Sequence, residues 1–550
     1  MKQLKAFSKH GIIRGLNSTL KSSTFEGRFG RMFRTLAAAK HSPETLSFLA
    51  KKMVDSNNGP QTPETKIDDE ENTGNKKNKG IAAGYTYLGQ FLDHDITFDP
   101  ASSLQQQNDP DSLVDFRTPR FDLDSLYGRG PSDQPYMYDF DAMDGNIVKM
   151  LLGKPLTGNE SSLDPKIDTP SQDLPRNNPN GNTRRALTGD SRNDENVIVS
   201  QLHGMFLRFH NRVVDYQKDN GLDASFETVQ NIVRWHYQWI ILHDFLPTIL
   251  GEDMVNEILP NLTNGKTINE EPPKLKFFNW HKEIFMPIEF SGAAYRFGHS
   301  MVRPIYRLNP GKNPKPVDPN DERFLVFPDL VGFGEFASNM AIDWRLFFDF
   351  GNNASPLSKE KMQSAYKIDT SLVNPLGNLP KAVADHIPPM PSLAELNLIR
   401  GMRLGLPSGQ SVAKTMGLKV IPDNELKIGK ATFDGLTENK AITDFKELDS
   451  IKGNTPLWFY VLAESLKNFT NEANEIIKGK KITDELKNEV NSIPVKLGNV
   501  GGRIVGEVFI GLLKADQYSY LNQDPFWTPI PGFMKNGRFG IVELITQAKH

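Results

Sequence analysis

The sequence predicts a mainly α-helical protein with long loops, and two observations lead to that prediction. Apolar residues recur at helical spacing over several long stretches, whereas runs that alternate apolar and polar residues are few and short. Polar stretches rich in Asn, Pro and Gly separate the helices at residues 55–80, 154–190 and 308–322. Loops of that length are uncommon inside one domain and usually serve a function or wrap around the core.

The helical periodicity is most regular in two neighbouring segments. In residues 197–214 and 229–246, apolar side chains return every three or four positions. Ser191 and Asp194 fit a capping box that would begin the first helix, and Pro247 is expected to end the second. Three further segments are predicted to be helical: residues 391–403, 456–475 and 498–514.

Composition and charge exclude several classes of protein. The 550 residues carry a net charge of −3, so nothing favours binding to nucleic acid. No run of 18 apolar residues exists, and no transmembrane span is expected. The absence of cysteine excludes disulfides, thiolate metal ligands and cysteine nucleophiles. The basic first residues lack the apolar stretch of a signal peptide, so we expect a cytoplasmic protein or one exported without such a leader.

Residues 89–100 (GQFLDHDITFDP) hold the densest group of chemically active side chains. Gln90, Asp93 and His94 stand at positions i, i+3 and i+4, so they share one face if the segment is a helix. Asp95 must then point in another direction. The arrangement suits a ligand pocket on one side and a cation site on the other, although an isolated His-Asp pair is usually a helix end with satisfied polar groups.

Residues 117–128 (RTPRFDLDSLYG) form an oxygen-rich segment. Asp122 and Asp124 are two positions apart, so their carboxylates share a side in an extended loop, and Thr118 can add a hydroxyl and a carbonyl oxygen. Ca²⁺ prefers six to eight oxygen ligands of this kind. The ordinary interpretation of such a segment is a solvated turn, and its spacing is not that of an EF-hand.

Two more segments contain candidate functional residues. Arg192 and Glu195 stand at i and i+3 before a long helix and can face one pocket, where the ordinary alternative is a surface ion pair. His299 follows Gly298 in an apolar and aromatic helical segment. The glycine allows a flat ligand to approach closely, whereas the ordinary alternative is a histidine of the core.

Taken together, these segments resemble the animal-type haem peroxidases of the peroxidase–cyclooxygenase superfamily. The matching motifs keep the family's order over roughly residues 80–530. They are GQFLDHDITFDP, FDLDSLYG, SRNDENVIVSQLHGMFLRFHNRVV, WHYQWIILHDFLP, AYRFGHSMVRP, LNLIRGMRLGLP and LGNVGGRIVGEVFIGLL. Without cysteines, the chain resembles bacterial-type members. The resemblance implies a helical fold with long loops around a buried haem, with a catalytic domain at 81–550 after an N-terminal extension and mobile loop at 1–80.

The resemblance also implies roles on the distal side of the haem. His94 matches the histidine that transfers protons, and Arg192 matches the distal arginine. Gln90 matches the glutamine that binds water or halide. Asp93 and Glu195 match the two carboxylates that form ester bonds to haem methyl groups.

On the proximal side, His299 matches the iron ligand, and Asn397 matches the asparagine that accepts a hydrogen bond from that imidazole. Arg296 and Arg400 match arginines near the haem periphery, where we expect them to pair with propionates. Asn196 stands where one mammalian relative has a methionine that forms a sulfonium link, so that third link is not expected.

The resemblance implies a calcium site beside the distal histidine. Its ligands would be Asp95, Thr118, Asp122 and Asp124, with Arg120 contributing only its carbonyl. Asp124 replaces a serine of the mammalian members, which adds negative charge to the site.

The implied activity is that of a haem peroxidase, which reduces hydrogen peroxide and oxidises halides, thiocyanate or phenols. One alternative is a fatty-acid dioxygenase of the same superfamily, which would carry a radical-forming tyrosine three residues before the proximal histidine. This chain has Arg296 there, and Tyr295 is one residue off. The other alternative is a haem-binding module without catalysis, against which the intact His94, Arg192 and His299 argue.

Overall fold

Helices form most of the regular structure, as the periodicity of the sequence predicted. The computed structural model describes residues 27–55, 80–98, 114–115, 117–157, 171–177, 185–260, 270–280, 283–309, 323–351, 362–379 and 392–549. Most of each predicted loop lies outside these described residues. No helix within the described ranges is long and apolar enough to cross a bilayer.

The α-helices of five or more residues follow one another along the described chain. They are α1 (Pro43–Met53), α2 (Gly84–Ile96), α3 (Val197–Asp219), α4 (Phe226–Ile240), α5 (Leu246–Leu250), α6 (Glu252–Ile258), α7 (Leu393–Arg403), α8 (Gly409–Thr415), α9 (Leu457–Ile477), α10 (Asp484–Asn491), α11 (Asn499–Ala515) and α12 (Ile541–Gln547). Shorter α-helical turns are Asp124–Tyr127, Ile288–Ser291, Asn374–Gly377, Gly435–Glu438 and Tyr520–Gln523. Two 3-10 helices bear on the site: Ser191–Asp194 and Ala294–Met301.

The strands are short. They are β1 (Gly27–Gly30), β2 (Val114–Asp115), β3 (Tyr138–Asp144), β4 (Ile147–Met150), β5 (Pro155–Leu156), β6 (Ser171–Gln172), β7 (Met286–Pro287), β8 (Ile305–Arg307), β9 (Arg323–Leu325), β10 (Lys427–Ile428) and β11 (Lys440–Ala441). A three-stranded sheet has the order β2-β1-β7, with β1 antiparallel to β2 and parallel to β7. The other strands pair two by two as antiparallel ribbons.

The predicted capping box at the start of α3 is wrong. The helix begins instead at Asn196, whose side chain accepts a hydrogen bond of 2.8 Å from the Ile198 N–H. Ser191 and Asp194 belong to the preceding 3-10 helix, which Asp190 caps by accepting from the Arg192 N–H. The chain is extended at Asn196, so it turns between the two helices, and each helix has its own cap.

Pro247 does not end the second predicted helix. A π-helical turn over Ile241–Phe245 follows α4 and leads directly into α5, where Pro247 occupies the first turn. In the π-helical turn the Leu246 N–H donates to the Ile241 carbonyl five residues back, so the regular α-helical ladder is already interrupted where Pro247 lacks an N–H. Gly251, at φ 91°, ends α5.

An aromatic cluster fixes the rotation of α2. Phe91 is fully buried and stacks on Phe206 of α3, with ring centroids 4.8 Å apart. Tyr237 of α4 packs edge-on against both rings. Because successive helical residues are about 100° apart, the burial of Phe91 against α3 and α4 determines where Gln90, Asp93 and His94 point.

The described part of the N-terminal region packs onto the helical body. Strand β1 pairs with β2 and β7, and α1 packs against α7. The N–H groups of Met32 and Phe33 donate to the buried Glu289 carboxylate at 2.9 and 3.1 Å. The boundary at residue 80 stays a prediction, but residues 27–55 share the core of the rest of the fold.

Candidate active site

One cavity of about 720 Å³ gathers most of the side chains that the sequence analysis selected. Residues of α2, of the two 3-10 helices and of α7 contribute to its wall. The predicted site residues that line it are Gln90, Asp93, His94, Arg192, Glu195, Arg296, His299 and Arg400. The polar face of α2 that was predicted from the sequence is thus turned towards this cavity.

His94 is buried and has a polar contact at each ring nitrogen. Its Nδ1 lies 2.8 Å from Oδ1 of Asn193. Its Nε2 lies 3.5 Å from Oε1 of Glu195, and the same oxygen accepts a hydrogen bond of 2.7 Å from Gln90. Gln90, His94 and Glu195 therefore form one polar group in the cavity, with donors and acceptors suited to a small polar molecule.

Asp190 holds Arg192 beside His94. The Arg192 guanidinium donates from Nε and Nη2 to the Asp190 carboxylate, and Nη2 also donates to the carbonyl of His94 at 2.9 Å. Burial alone would raise the pKa of the Asp190 carboxyl, but Arg117 and Arg192 outweigh burial and hold that pKa well below its usual range. Arg192 is a fixed positive charge in the cavity wall.

His299 lies in the 3-10 helix Ala294–Met301 and contacts Asn397. The Asn397 side-chain amide is 2.7 Å from Nδ1 of His299. Burial, then Arg296 and Arg400, lower the pKa of His299 to about 3, so the imidazole is neutral. The atom at that distance is the amide nitrogen Nδ2, which donates to Nδ1 and leaves the ring proton on Nε2. A half-turn of the amide would bring its oxygen to the ring, so that Nδ1 carries the proton and Nε2 keeps the lone pair that binds a metal ion.

The arginine pair fits an anionic ligand. Burial, then the neighbouring Arg400, lower the pKa of Arg296 to about 9, while Asp93 opposes that shift. Two guanidinium groups at one cavity wall repel each other, and a bound carboxylate removes that cost.

Space for a flat ligand exists next to His299. A Cβ atom built on Gly298 would meet no atom of the described residues within 4 Å, and Gly298 lines the cavity. A neutral imidazole, two arginines and this open surface together fit an iron porphyrin with its propionates. The residues present therefore suit a haem.

A second group of side chains lies behind α2. Carboxylate oxygens of Asp95, Asp122 and Asp124 all lie within 4.8 Å of one another. Burial, then repulsion from the other two carboxylates, raise the pKa of Asp95 well above its usual value. Burial is also the main cause that raises the pKa of Asp124 to about 7, although Arg117 opposes it. Three carboxylates at this spacing favour a bound cation.

The loop that carries two of these carboxylates is shaped by Asp95. The N–H groups of Leu123 and Ser125 donate to Asp95 at 3.1 and 3.4 Å. Leu123 has φ 57°, a conformation that a non-glycine residue adopts only when its surroundings impose it. The hydroxyl of Thr118 donates to Asp122 at 2.8 Å.

Arg120 belongs to the same loop. Its N–H donates to the Thr118 carbonyl at 2.8 Å, and its guanidinium points away to Asp516, 4.0 Å distant. These contacts leave its side chain outside the cluster of carboxylates.

The sequence analysis missed residues that hold this site together. Arg117 bridges Asp124 at 2.9 Å and Asp190 at 2.6 Å. The amide of Asn193 contacts His94 on one side and His203 on the other. The position of Asp190 two residues before Arg192 was a usable signal, because a short acidic side chain there can reach a guanidinium. Asn193 and His203 lie on different elements, and no spacing rule connects them to His94.

Tyr295 also lines the cavity, but both its hydroxyl and its ring already have partners in the protein. Its hydroxyl donates to the carbonyl of Gly89 at 3.0 Å, and its ring stacks on Phe290 with centroids 4.7 Å apart. Burial raises the pKa of Tyr295 well above its usual value. Tyr295 therefore joins α2 to the 3-10 helix that carries His299.

Comparison with known proteins identifies relatives of the chain. The family model for animal haem peroxidases matches residues 105–427. The chain is 25% identical over 302 residues to thyroid peroxidase of Mus musculus, which covers 54% of this chain and 29% of that protein. It is 26% identical over 380 residues to a peroxidase-like protein of Margaritifera margaritifera, which covers 58% and 44% respectively. The matches thus span less than half the length of these two relatives.

A solved structure supports the same fold. Peroxidase A from Dictyostelium discoideum superposes with a TM-score of 0.53 and 14% sequence identity. The superposition covers 96% of this chain and 93% of that one. At this identity, the agreement establishes the helical fold.

Proposed function

The chain belongs to the animal haem peroxidase family, and on that premise we propose that it reduces hydrogen peroxide while oxidising small donors. The observation that carries this proposal is the shared cavity of His94, Arg192 and His299. It combines a neutral imidazole that can bind iron with a second imidazole and a fixed positive charge. The proposed donors are halides, thiocyanate and phenols.

Membership of the family implies that the chain binds haem. We propose that His299 holds the iron through Nε2, with the Asn397 amide turned so that its oxygen accepts a hydrogen bond from Nδ1. Arg296 and Arg400 would bind the propionates. When bound, the haem would supply the redox-active iron that reduction of peroxide requires.

His94 and Arg192 have complementary roles in this proposal. His94 would take a proton from one oxygen of the peroxide and deliver it to the other, which would leave as water, while the haem would supply the two electrons. Arg192 stabilises the negative charge that develops as the O–O bond breaks. Gln90, whose amide donates to Glu195 in the structure, would provide a further polar contact for water or a small anion near His94.

We also propose a Ca²⁺ ion bound by Asp95, Thr118, Asp122 and Asp124, together with the carbonyl of Arg120. Asp95 and His94 are adjacent on α2, so a cation at Asp95 would hold the helix that carries the proposed base. Asp124 in this position gives the site one more carboxylate, and its ion pair with Arg117 offsets part of that charge.

The first prediction tests the assignment of His94. His94→Ala should keep haem but react with hydrogen peroxide roughly 10²–10⁴-fold more slowly, because proton transfer loses its catalyst. Stopped-flow absorbance in the Soret band measures this rate. His210→Gln is the matched control, since His210 is also buried but contacts Tyr127 and Val148 instead of the cavity. A rate in His94→Ala equal to that of the control would refute the assignment.

The variant His299→Ala should behave differently, because it is expected to lose haem or to change the ligation of the iron.

The second prediction concerns covalent attachment of haem. Each ester would join a carboxylate oxygen of Asp93 or Glu195 to a methyl carbon that loses a hydrogen. This is a two-electron oxidation, and hydrogen peroxide is the oxidant. After peroxide treatment, a denaturing gel stained for haem should show a retained band that is lost in the double variant Asp93→Ala, Glu195→Ala. Complete extraction of haem from the treated wild type by acidified solvent would disprove the ester bonds.

The third prediction concerns the cation. Removal of Ca²⁺ by a chelator should lower the melting temperature by several degrees, and added Ca²⁺ should restore it. A cation present at 100 times the dissociation constant of its site adds about 2.7 kcal/mol to the free energy of unfolding. Asp122→Asn should weaken this response, whereas Asp133→Asn, at an exposed carboxylate, should leave it unchanged. A chelator-treated protein with an unchanged melting temperature would rule out the proposed site.

The fourth prediction separates a peroxidase from a fatty-acid dioxygenase. Arg296 carries a charge at the position where a dioxygenase needs a radical-forming tyrosine, and Tyr295 donates its hydroxyl to the Gly89 carbonyl. We expect peroxide-dependent oxidation of iodide, bromide or guaiacol and no appreciable oxygen uptake with linoleate. An oxygen electrode and an absorbance assay measure the two activities. Rapid uptake with linoleate that disappears in Tyr295→Phe would favour the dioxygenase.

A further inference from the structure

An amide links two buried histidines. Oδ1 of Asn193 lies 2.8 Å from Nδ1 of His94, and Nδ2 of Asn193 lies 3.0 Å from Nδ1 of His203. Asn193 and His203 have no exposed surface, and His94 is 4% exposed. The three side chains therefore form a chain of hydrogen bonds, and its middle member, Asn193, is shielded from solvent.

The chemistry of an amide makes this chain directional. One end of the Asn193 side chain only accepts hydrogen bonds and the other only donates them. With Oδ1 towards His94, the proton of His94 must be on Nδ1, and Nε2 is left with a lone pair. His203 then accepts at Nδ1 and carries its own proton on Nε2. Burial lowers the pKa of His203 to about 3, so His203 stays neutral and can accept from the amide.

Given the proposed function, we propose that Asn193 and His203 are positioning residues that keep the proton of His94 on Nδ1 and leave Nε2 free as the base. Nε2 is the ring nitrogen on the side of Glu195, which lines the cavity. If the amide were reversed, its N–H would face Nδ1 and Nε2 would already hold a proton. His94 could then not accept a proton from a molecule in the cavity.

The same orientation serves both protonation states of His94. When Nε2 gains a proton, Nδ1–H continues to donate to Oδ1 of Asn193, so the amide does not have to turn. This fixed geometry lets the proton move without rearrangement of its surroundings, which is how preorganised polar groups aid proton transfer.

Neighbouring elements hold the Asn193 side chain in place between the two rings. Asn193 belongs to the 3-10 helix Ser191–Asp194, and its N–H donates to the Asp190 carbonyl at 3.1 Å. His203 is in α3, and its ring packs edge-on against Phe91. A single turn of chain thus brings Arg192 to the carbonyl of His94 and Asn193 to its ring.

His203 ends this chain of hydrogen bonds. Its Nε2 is buried and has no hydrogen-bond partner among the described residues. A proton on that atom therefore has no onward path through the part of the chain that the structure describes. This observation favours a positioning role for His203 over a role in conducting protons out of the site.

The experiment compares three substitutions with a matched control in the haem-loaded protein. Asn193→Leu removes the acceptor at similar size, Asn193→Asp keeps an acceptor, and His203→Phe removes the partner that holds the amide. The control is His210→Gln, another buried histidine of α3 that contacts neither His94 nor Asn193. Nitrogen-15 NMR of histidine-labelled protein, in the diamagnetic reduced form with carbon monoxide, reports which ring nitrogen of His94 carries the proton.

We expect Nδ1–H for His94 in the wild type, in Asn193→Asp and in His210→Gln. Asn193→Leu should shift His94 towards Nε2–H and slow the reaction with peroxide roughly 10- to 100-fold, the usual cost of losing a supporting hydrogen bond of this kind. His203→Phe should give a mixture of the two tautomers and a smaller loss. Asn193→Asp should recover most of the rate.

Two results would overturn the proposal, and the first is read from the wild type without any variant. One is Nε2–H for His94 in the wild type. The other is an unchanged tautomer in both Asn193→Leu and His203→Phe. Failure of the proposed function would appear separately, as a wild type that binds haem with the Nδ1–H tautomer of His94 but reacts with peroxide no faster than His94→Ala.

Discussion

A single buried carboxylate, Asp190, joins the two halves of the site. It accepts hydrogen bonds from Arg192, which faces the cavity, and it pairs with Arg117, which also binds Asp124 of the carboxylate cluster. One negative charge between two guanidinium groups is stable in the interior, whereas removal of a partner from such a buried network is strongly destabilising. The position of Arg192 beside His94 therefore depends on the loop that carries Asp124, although these groups lie far apart in the sequence.

Helix α2 connects the same two regions in a second way. His94 faces the cavity and Asp95 faces the carboxylate cluster, because neighbouring residues of a helix point about 100° apart. The stack of Phe91 on Phe206 fixes the rotation of the helix, so the two side chains keep these directions. The same packing and charge interactions thus fix the positions of both the candidate base and the candidate cation ligands.

The fold and much of the site could be predicted because they rest on local rules. The i, i+3, i+4 spacing in α2 holds in the structure, and the predicted segments 391–403, 456–475 and 498–514 correspond to α7, α9 and α11. The two wrong predictions concern helix ends: the capping box at Ser191 and the stop at Pro247. In both places a neighbouring helical turn, a 3-10 turn in the first case and a π-helical turn in the second, changed where the helix begins or ends. Asn193, His203 and Arg117 were missed because their contacts join distant segments, and no periodicity in the sequence records such contacts.

The charges of the site explain why a ligand and a stable fold belong together here. Arg296 and Arg400 repel each other at the cavity, and Asp95, Asp122 and Asp124 repel one another behind it. Each group costs folding free energy by itself, and each would be relieved by a ligand of opposite charge, the proposed haem propionate in the first case and the proposed cation in the second. Ligands that bind only the folded state stabilise it by mass action. The side chains that would give this protein its chemistry are therefore also the ones whose repulsion couples its stability to its cofactors.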